Sequence, residues 1–549
     1  MRRLFVQLPA LVWLAWLLGM GAPVSVAASC AGDKAGVAEG KGAQCLDGML
    51  PPGVSPLWRL RFPEAPDALG PRIQVTGVVK DQHFSPSSIE TVPTGIAVDP
   101  AIPLGSSLLG ALSPHGFGSE ERARIVQDSN QGYTVHCSAG QAPAGVLWRP
   151  DSGRLPAGAR AELRIRARGD SGFQWGVAAP GKDAVLLRPV AASGPTGLEA
   201  AIPLDAVSAA LGGEHASFVL MCPARAASLT IQSIELRPLQ AVGEGLRAAW
   251  NWTAEHWRAD PAALIARAEA LGLRRLYVAL DVEPSGEKVV GADLLAAFVA
   301  MASSRGMAVW AVEGDPGMAT PQGREQALRR LRALHAYQAD VEPSARLGGV
   351  QYDIEPYLLP AYRTDPRAVA QEWARTIQAL NRHSTLKLDM VLPFWLPQSP
   401  MGDTVLGALR KTKGSLTIMA YRVDPLAIQR VAEPLLAWGA AAGIPVYVAL
   451  EAGPLDDELT QFYTEAPAGL PASLWLTTNE EGGTAVLLPK PVLLSQGKGY
   501  NASGQQPAPA SLVSFKGNHQ AMLAASRQLQ PVLRAWPSYA GMAYHGLLD

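Results

Sequence analysis

The chain has 549 residues in which 47 Lys and Arg nearly balance 48 Asp and Glu, for a net charge of −1. Such a balance carries no electrostatic footprint for nucleic acid, and no basic stripe appears. A charged fraction of 17% beside 48% hydrophobic residues fits a packed globular protein, and the length allows several domains.

The N-terminus reads as an address. Met1-Arg2-Arg3 is basic, an apolar run follows from Leu4 to about Met20, and small residues close it at Val24-Ser25-Val26-Ala27-Ala28-Ser29. This is the pattern of a secretory signal over residues 1–28, cut after Ala27 or Ala28, and it predicts a periplasmic or extracellular protein. No later stretch is apolar and long enough to span a bilayer. A lipoprotein acylated at Cys30 is the alternative, although Ala27 stands where a Leu is usual. In an exported chain the even set Cys30, Cys45, Cys137 and Cys222 predicts disulfides, most simply Cys30 with Cys45 and Cys137 with Cys222. The four are too scattered for a zinc site.

After an N-terminal extension over 29–56, short alternating strands with Gly, Pro, Ser and Asp turns run from 57 to 240. Ala161-Glu162-Leu163-Arg164-Ile165-Arg166-Ala167 is one such strand, and the only helical run is Leu204 to Leu211. The pattern predicts an all-β sandwich. Cys137 and Cys222 both lie on such strands, so one bridge would staple it. The pattern resembles the jelly-roll carbohydrate-binding modules attached to polysaccharide enzymes. Gly169-Asp170-Ser171-Gly172 has the residue types of a trypsin-like nucleophile loop, but between two strands it reads as a hairpin turn. No His and Asp fill the partner roles.

Past Pro238 the period changes, and eight apolar strands alternate with helices of period 3.6 over 241–549. The strands lie near 247–252, 275–281, 308–313, 349–355, 387–393, 415–421, 445–451 and 539–544, which predicts an α/β fold of the (β/α)8 TIM-barrel type preceded by the sandwich. Asp260-Pro261, Asp365-Pro366 and Asp424-Pro425 place an N-cap acceptor before a Pro at the first helical position. Gly272, Gly306 and Gly443 close helices. The sequence stops at Asp549 just past the last strand, so the eighth helix is missing, and the sandwich or the segment before it is expected to cover the gap. An insertion over 454–514 follows the seventh strand, with a hairpin around Asn479-Glu480-Glu481-Gly482-Gly483, and is expected to form a wall or lid of the cleft.

The fourth strand, Gly348-Gly349-Val350-Gln351-Tyr352-Asp353-Ile354-Glu355-Pro356-Tyr357, carries the chemistry. Alternation projects Gln351, Asp353 and Glu355 to one face, and the C-terminal ends of barrel strands are where such enzymes act. Structural salt bridges are the plain alternative for the two acids. The other strand ends contribute Trp250, Asn251 and Trp252, Asp281 and Glu283, Glu313 and Asp315, Trp395, Tyr421 and Arg422, Glu451, Tyr544 and His545. Carboxylates with aromatics are the composition of a sugar cleft, where one protonated acid serves the leaving oxygen and a second group serves the anomeric carbon. About half of the Trp residues are expected to pack as core instead.

These residues resemble the chitinases of glycoside hydrolase family 18, whose fourth strand carries Asp-Gly-x-Asp-x-Asp-x-Glu. Gly349, Asp353 and Glu355 match, while Gly348 and Gln351 replace two Asp residues. Met419-Ala420-Tyr421 is similar to that family's Met-x-Tyr on the sixth strand. The resemblance implies Glu355 as general acid, Asp353 as the residue orienting a substrate N-acetyl group that acts as nucleophile, and Tyr421 as its support. Arg422 stands where an Asp usually follows the Tyr. A nearby Arg favours an ionised carboxylate, so it works against a protonated Glu355 unless it pairs with Glu451 or with a substrate carboxylate. A second mechanism comes from the retaining cellulase and galactosidase clan, which places an acid/base Glu after strand four and a nucleophilic Glu after strand seven. Glu355 and Glu451 occupy those places, although Ile354 replaces the clan's Asn.

The expectation is therefore an exported glycoside hydrolase acting on a polysaccharide or oligosaccharide, with Glu355 as acid/base and Asp353, Glu451 and Tyr421 beside it. Gln351, Trp250, Trp252, Asp281, Glu313, Trp395, Arg422, Tyr544 and His545 are expected to bind substrate, and Arg422 points to an acidic one. The alternative is a non-catalytic carbohydrate-binding or polysaccharide-assembly protein on the same barrel. Asn251-Trp252-Thr253 and Asn501-Ala502-Ser503 match the glycosylation triplet. No metal-ligand spacing, phosphate loop or dinucleotide fingerprint appears, so no metal and no cofactor is expected.

Overall fold

The structure is a computed structural model that describes residues 50, 54–62, 65–92, 100–118, 122–127, 132–150, 154–179, 182–194, 197–212, 216–239, 245–479 and 482–548. The expected signal at 1–28 and the expected Cys30–Cys45 bridge lie outside them, as does nearly all of the extension at 29–56. Among the described residues no helix is long and apolar enough to cross a membrane.

Eight parallel strands close a barrel in chain order: Leu246–Asn251, Arg275–Ala279, Ala308–Glu313, Val350–Tyr352, Leu388–Pro393, Gly414–Met419, Val446–Glu451 and Tyr539–His545. The first strand pairs with the eighth through Leu246 and Gly541, which completes the ring. The helix starts follow the expected chemistry. Asp260, Asp365 and Asp424 each accept the backbone N–H three residues on, at 2.9, 2.9 and 2.8 Å, with Pro in the first turn. Gly443 ends the helix Pro425–Ala442 at φ 68°, where a side chain would be strained.

The sandwich packs a five-stranded sheet, Leu112–Gly118, Ala144–Pro150, Gln174–Ala178, Val185–Pro189 and Ser217–Met221, on a six-stranded one. The second sheet contains Ala123–Gln127, Tyr133–Cys137, Ala161–Gly169, Ala191–Ser193, Gly197–Pro203 and Ala227–Pro238. Trp148, Trp175 and Phe218 fill the space between them, with ring centres 6.1 and 6.0 Å apart along the row. The Cys137–Cys222 disulfide ties one sheet to the end of a strand in the other across 85 residues of sequence. The sandwich joins the barrel at the helices following its sixth and seventh strands. Arg154 reaches Glu433 at 2.7 and 3.1 Å, Trp536 donates to the Ala157 carbonyl at 3.0 Å, and Arg160 N–H donates to Ala535 at 2.7 Å. Beyond the eighth strand, the carbonyls of Leu547 and Leu548 are held by Arg267 of the first long helix, at 2.7 and 3.3 Å.

The strand partners differ from expectation at the start of 57–240. Trp58–Phe62, Arg72–Lys80 and His83–Thr91 do not enter the sandwich. They join Asp457–Glu465, Ala472–Asn479, Gly482–Val492 and Lys498–Ala508 of the insertion in one seven-stranded antiparallel sheet. Arg72–Lys80 zips along Asp457–Glu465, and Trp58–Phe62 along Gly482–Val492. Ile73, Val75 and Ile89 from the first part and Tyr463, Leu474, Leu476 and Tyr500 from the second share one core. Alternation reveals which face of a strand is apolar, not which distant strand supplies its ladder. The sheet rises from the end of the seventh barrel strand; burial, and then the charge of its Glu90, push the hydroxyl of Tyr362, in the short helix after the fourth strand, up to about 12.

Candidate active site

Period-two alternation sets what enters the barrel. Trp250, Tyr277, Trp310, Val312, Val391, Met419 and Tyr421 point inward with small residues Ala248, Ala449 and Ala543 between them. Trp310 explains the paired glycines of the fourth strand: a Cβ on Gly349 would stand 2.4 Å from its ring, and one on Gly348 2.5 Å from its Nε1. Arg275 lies over the Trp310 ring at 4.1 Å and over Tyr447 at 4.7 Å, and donates to the Tyr277 hydroxyl at 3.1 Å.

A polar layer crosses the barrel above this floor. Asp389 accepts from Tyr277 at 3.0 Å, Gln351 at 2.7 Å, Ser415 at 2.8 Å and Thr417 at 2.7 Å. Trp250 Nε1 donates to the other end of Gln351 at 2.6 Å. Gln351 and Trp250 are thus bonded to each other and sealed in, as structural supports beneath the cleft.

Asp353 and Glu355 lie just past Tyr352, where the fourth strand's regular pairing ends; Asp353 N–H still donates to the Glu313 backbone carbonyl at 2.7 Å. Both carboxyls are buried. Burial pushes Asp353 up to about 7; His545 opposes this and the charge of Asp389 adds to it. Burial, and then the neighbouring Asp353, hold Glu355 well above the ordinary carboxylate range, while a hydrogen bond from the Tyr357 hydroxyl to its Oε1 pulls the other way. Asp353 Oδ1 is buried without a hydrogen-bond partner among the described residues.

Across the mouth, Glu451 is also buried. Its Oε1 accepts the Gly453 N–H, and its Oε2 lies 2.8 Å from His545 Nδ1. The His545 ring sits 5.9 Å from Trp250, 6.4 Å from Trp252 and 6.4 Å from Tyr421. Tyr421 is buried within reach of Glu451, Asp353 and Glu355, and burial with those three charges raises its hydroxyl well above 10, so it stays a neutral donor. Trp395 packs edge-on against Tyr357 at 5.0 Å. Asp353, Glu355, Tyr421, Glu451 and His545 therefore converge, with Trp252 and Trp395 on the rim.

Other expected contacts fall elsewhere. Glu313 points outward into the helix layer, where Arg330 binds both its oxygens, one at 3.0 Å. Tyr544 also faces out, and its hydroxyl meets Ser526 at 2.6 Å. Both follow from parity, since Val312 and Ala543 occupy the inward positions before them. Asp281 is largely exposed and pairs with Arg258 at 2.7 Å. Arg422 donates to the carbonyl of Tyr421 at 2.7 Å and lies 4.6 Å over the Phe394 ring; it pairs with neither Glu355 nor Glu451.

Two residues were not anticipated. Asp389 was visible as one acid inside the apolar run Leu388–Leu392, and Tyr357 as the residue two places beyond Glu355. Among the described residues no cluster of three or more His, Cys, Asp or Glu is arranged to hold a metal ion. The cluster places a carboxyl whose burial favours its protonated form beside a second carboxyl, a phenol and an imidazole; a protonated acid with a second carboxyl nearby is what general acid catalysis on a glycosidic oxygen uses.

No protein-family model matches this sequence, and no curated protein matches it. Among solved structures, it is similar to the CBM22-1–GH10 modules of a Clostridium thermocellum endo-1,4-beta-D-xylanase complexed with xylohexaose, with 10% identity, TM-score 0.26, and 65% of this chain and 81% of that one covered. It is also similar to a chitinase from Chromobacterium violaceum, with 13% identity, TM-score 0.30 and coverage of 55% and 93%. The Bacillus cereus spore cortex-lytic enzyme SleL gives 10%, 0.31, and 57% and 73%. Likenesses this distant carry no chemistry, and the barrel stands on its own strand pairing.

Proposed function

We propose that this chain is an exported glycoside hydrolase in which Glu355 protonates the leaving-group oxygen. The observation that carries the reading is the environment of Glu355: a buried carboxyl at the mouth of a parallel barrel, held above the ordinary carboxylate range by burial and by Asp353. A carboxyl in that state keeps its proton near neutral pH and can give it to a glycosidic oxygen. Arg422, which would have quenched that proton by pairing, is turned to Phe394 instead. The Cys137–Cys222 bridge supports an oxidising compartment.

The second group is Asp353. Its unpartnered Oδ1 is available to a substrate N–H, whereas both oxygens of Glu451 are already engaged. That arrangement favours orientation of a substrate amide over attack by Glu451, in keeping with the resemblance of the fourth strand to chitinases. Reaction with a 2-deoxy-2-fluoro glycoside followed by mass spectrometry separates the two routes, because only a nucleophilic Glu451 would carry a sugar adduct.

The test is reducing-sugar release from N-acetylated, neutral and acidic polysaccharides by wild type and Glu355→Gln, with binding followed in parallel. Release that collapses in the variant while binding persists is the expected result. Binding without release, equal in both proteins, would leave a carbohydrate-binding barrel.

A further inference from the structure

Arg422 is half-buried at the barrel rim, and no carboxylate among the described residues compensates its charge. Among the described residues its one hydrogen bond is to the neighbouring carbonyl of Tyr421, and its guanidinium carbon lies 4.6 Å over the centre of the Phe394 ring. Removing a cation from water without a counter-ion is unfavourable, and proteins generally pair such groups. The position is informative as well. Phe394 is followed by Trp395, whose ring meets Tyr357, whose hydroxyl bonds Glu355. Arg422 thus stands on the same continuous rim as the candidate acid, on the side of the fifth and sixth strands. Its planar fork, packed over Phe394, retains donors suited to a planar two-oxygen acceptor.

We infer that Arg422 is a substrate subsite for a carboxylate, so that the glycan bound at this mouth contains a uronic acid or another carboxylate-bearing sugar next to the bond at Glu355. The inference deepens the glycoside hydrolase reading, and it rests on the barrel mouth being the glycan site. The anion completes the ion pair that the protein leaves open, and a neutral glycan leaves the arginine desolvated and unpaired.

The test uses Glu355→Gln, so that binding is read without turnover. It is titrated calorimetrically with oligomers of hyaluronate, in which uronic acids alternate with N-acetylated sugars, and of polygalacturonate, with the same oligomers after reduction of their carboxyls to alcohols, and with dextran sulfate oligomers. At least one uronate oligomer should bind, and carboxyl reduction should weaken it tenfold or more. Adding Arg422→Gln should cause the same loss for the acidic oligomer and none for the reduced one, and Arg422→Lys should restore only part of it. Arg422→Gln should unfold at or above the wild-type temperature, because it removes an uncompensated charge; a clear fall would mark Arg422 as a structural bond and overturn the inference. Equal binding of native and reduced oligomers, binding of dextran sulfate alone, or no binding of any uronate oligomer would also overturn it. Cleavage of a neutral glycan without dependence on Arg422 would sink this inference and leave the hydrolase reading standing. Arg422-dependent uronate binding with no cleavage by wild type would do the reverse.

Discussion

Tyr357 donates its hydroxyl to Glu355 Oε1 from only two residues further along the chain, so the candidate acid is held by its own loop. That bond favours the ionised form and opposes the burial that keeps the proton on. Tyr357→Phe removes it, and the Glu355 carboxyl then titrates higher still. The basic limb of the pH dependence of kcat/KM, which reports the acid in the free enzyme, should move to higher pH by about one unit. A shift to lower pH would contradict the assignment.

Asp353 carries a cost in stability that depends on pH. Its folded pKa is about 7 against an ordinary value of 3.8. Between those values the unfolded chain has lost the proton that the folded chain keeps, so stability falls as pH rises through this window and the full cost is present above about 7. A displacement of that size corresponds to roughly 4 kcal/mol. Asp353→Asn should therefore unfold at a higher temperature than wild type at pH 8, and the advantage should vanish near pH 4. Thermal unfolding at a series of pH values measures this directly.

Asp389 organises the layer below. Tyr277, Gln351 and Thr417 donate to one Asp389 oxygen and Ser415 to the other, so asparagine at this position turns an amide N–H toward at least one donor. Asp389→Asn should cost about 2–3 kcal/mol. It also removes a charge that raises Asp353, so the upper end of the pH window above should move down. Loss of stability with an unmoved window would separate the layer from the site.

Much of this was legible in the residues, for physical reasons that can be named. Asp260, Asp365 and Asp424 announced helix starts because a short acceptor side chain before Pro satisfies an otherwise open N–H. Alternation put Asp353 and Glu355 on one face. The same rule, applied strictly, places Glu313 and Tyr544 outside, because Val312 and Ala543 already claim the interior. Pairing of Arg72–Lys80 with Asp457–Glu465 was not legible, since nothing local encodes a ladder between segments nearly 400 residues apart. Nor was the destination of the Arg422 side chain, which depends on Phe394 of the neighbouring strand end.

Glu313 gives a structural contrast to the acids of the mouth. Glu313→Ala leaves Arg330 without its buried carboxylate and should cost about 3–5 kcal/mol. For the protein that remains folded, KM should be unchanged. A raised KM at unaltered stability would return Glu313 to the cleft.

The central claim is that Glu355 gives its proton to the departing oxygen, and dependence on the leaving group tests it most directly. Rates are measured for wild type and Glu355→Gln on aryl glycosides of the sugar identified by the polysaccharide panel, with phenols of decreasing acidity. Leaving groups that depart as stable anions need no proton, so the variant should keep most of its rate on the most acidic phenols and lose progressively more as the phenol becomes less acidic. An equal loss across the whole series would contradict the assignment of Glu355 as the acid.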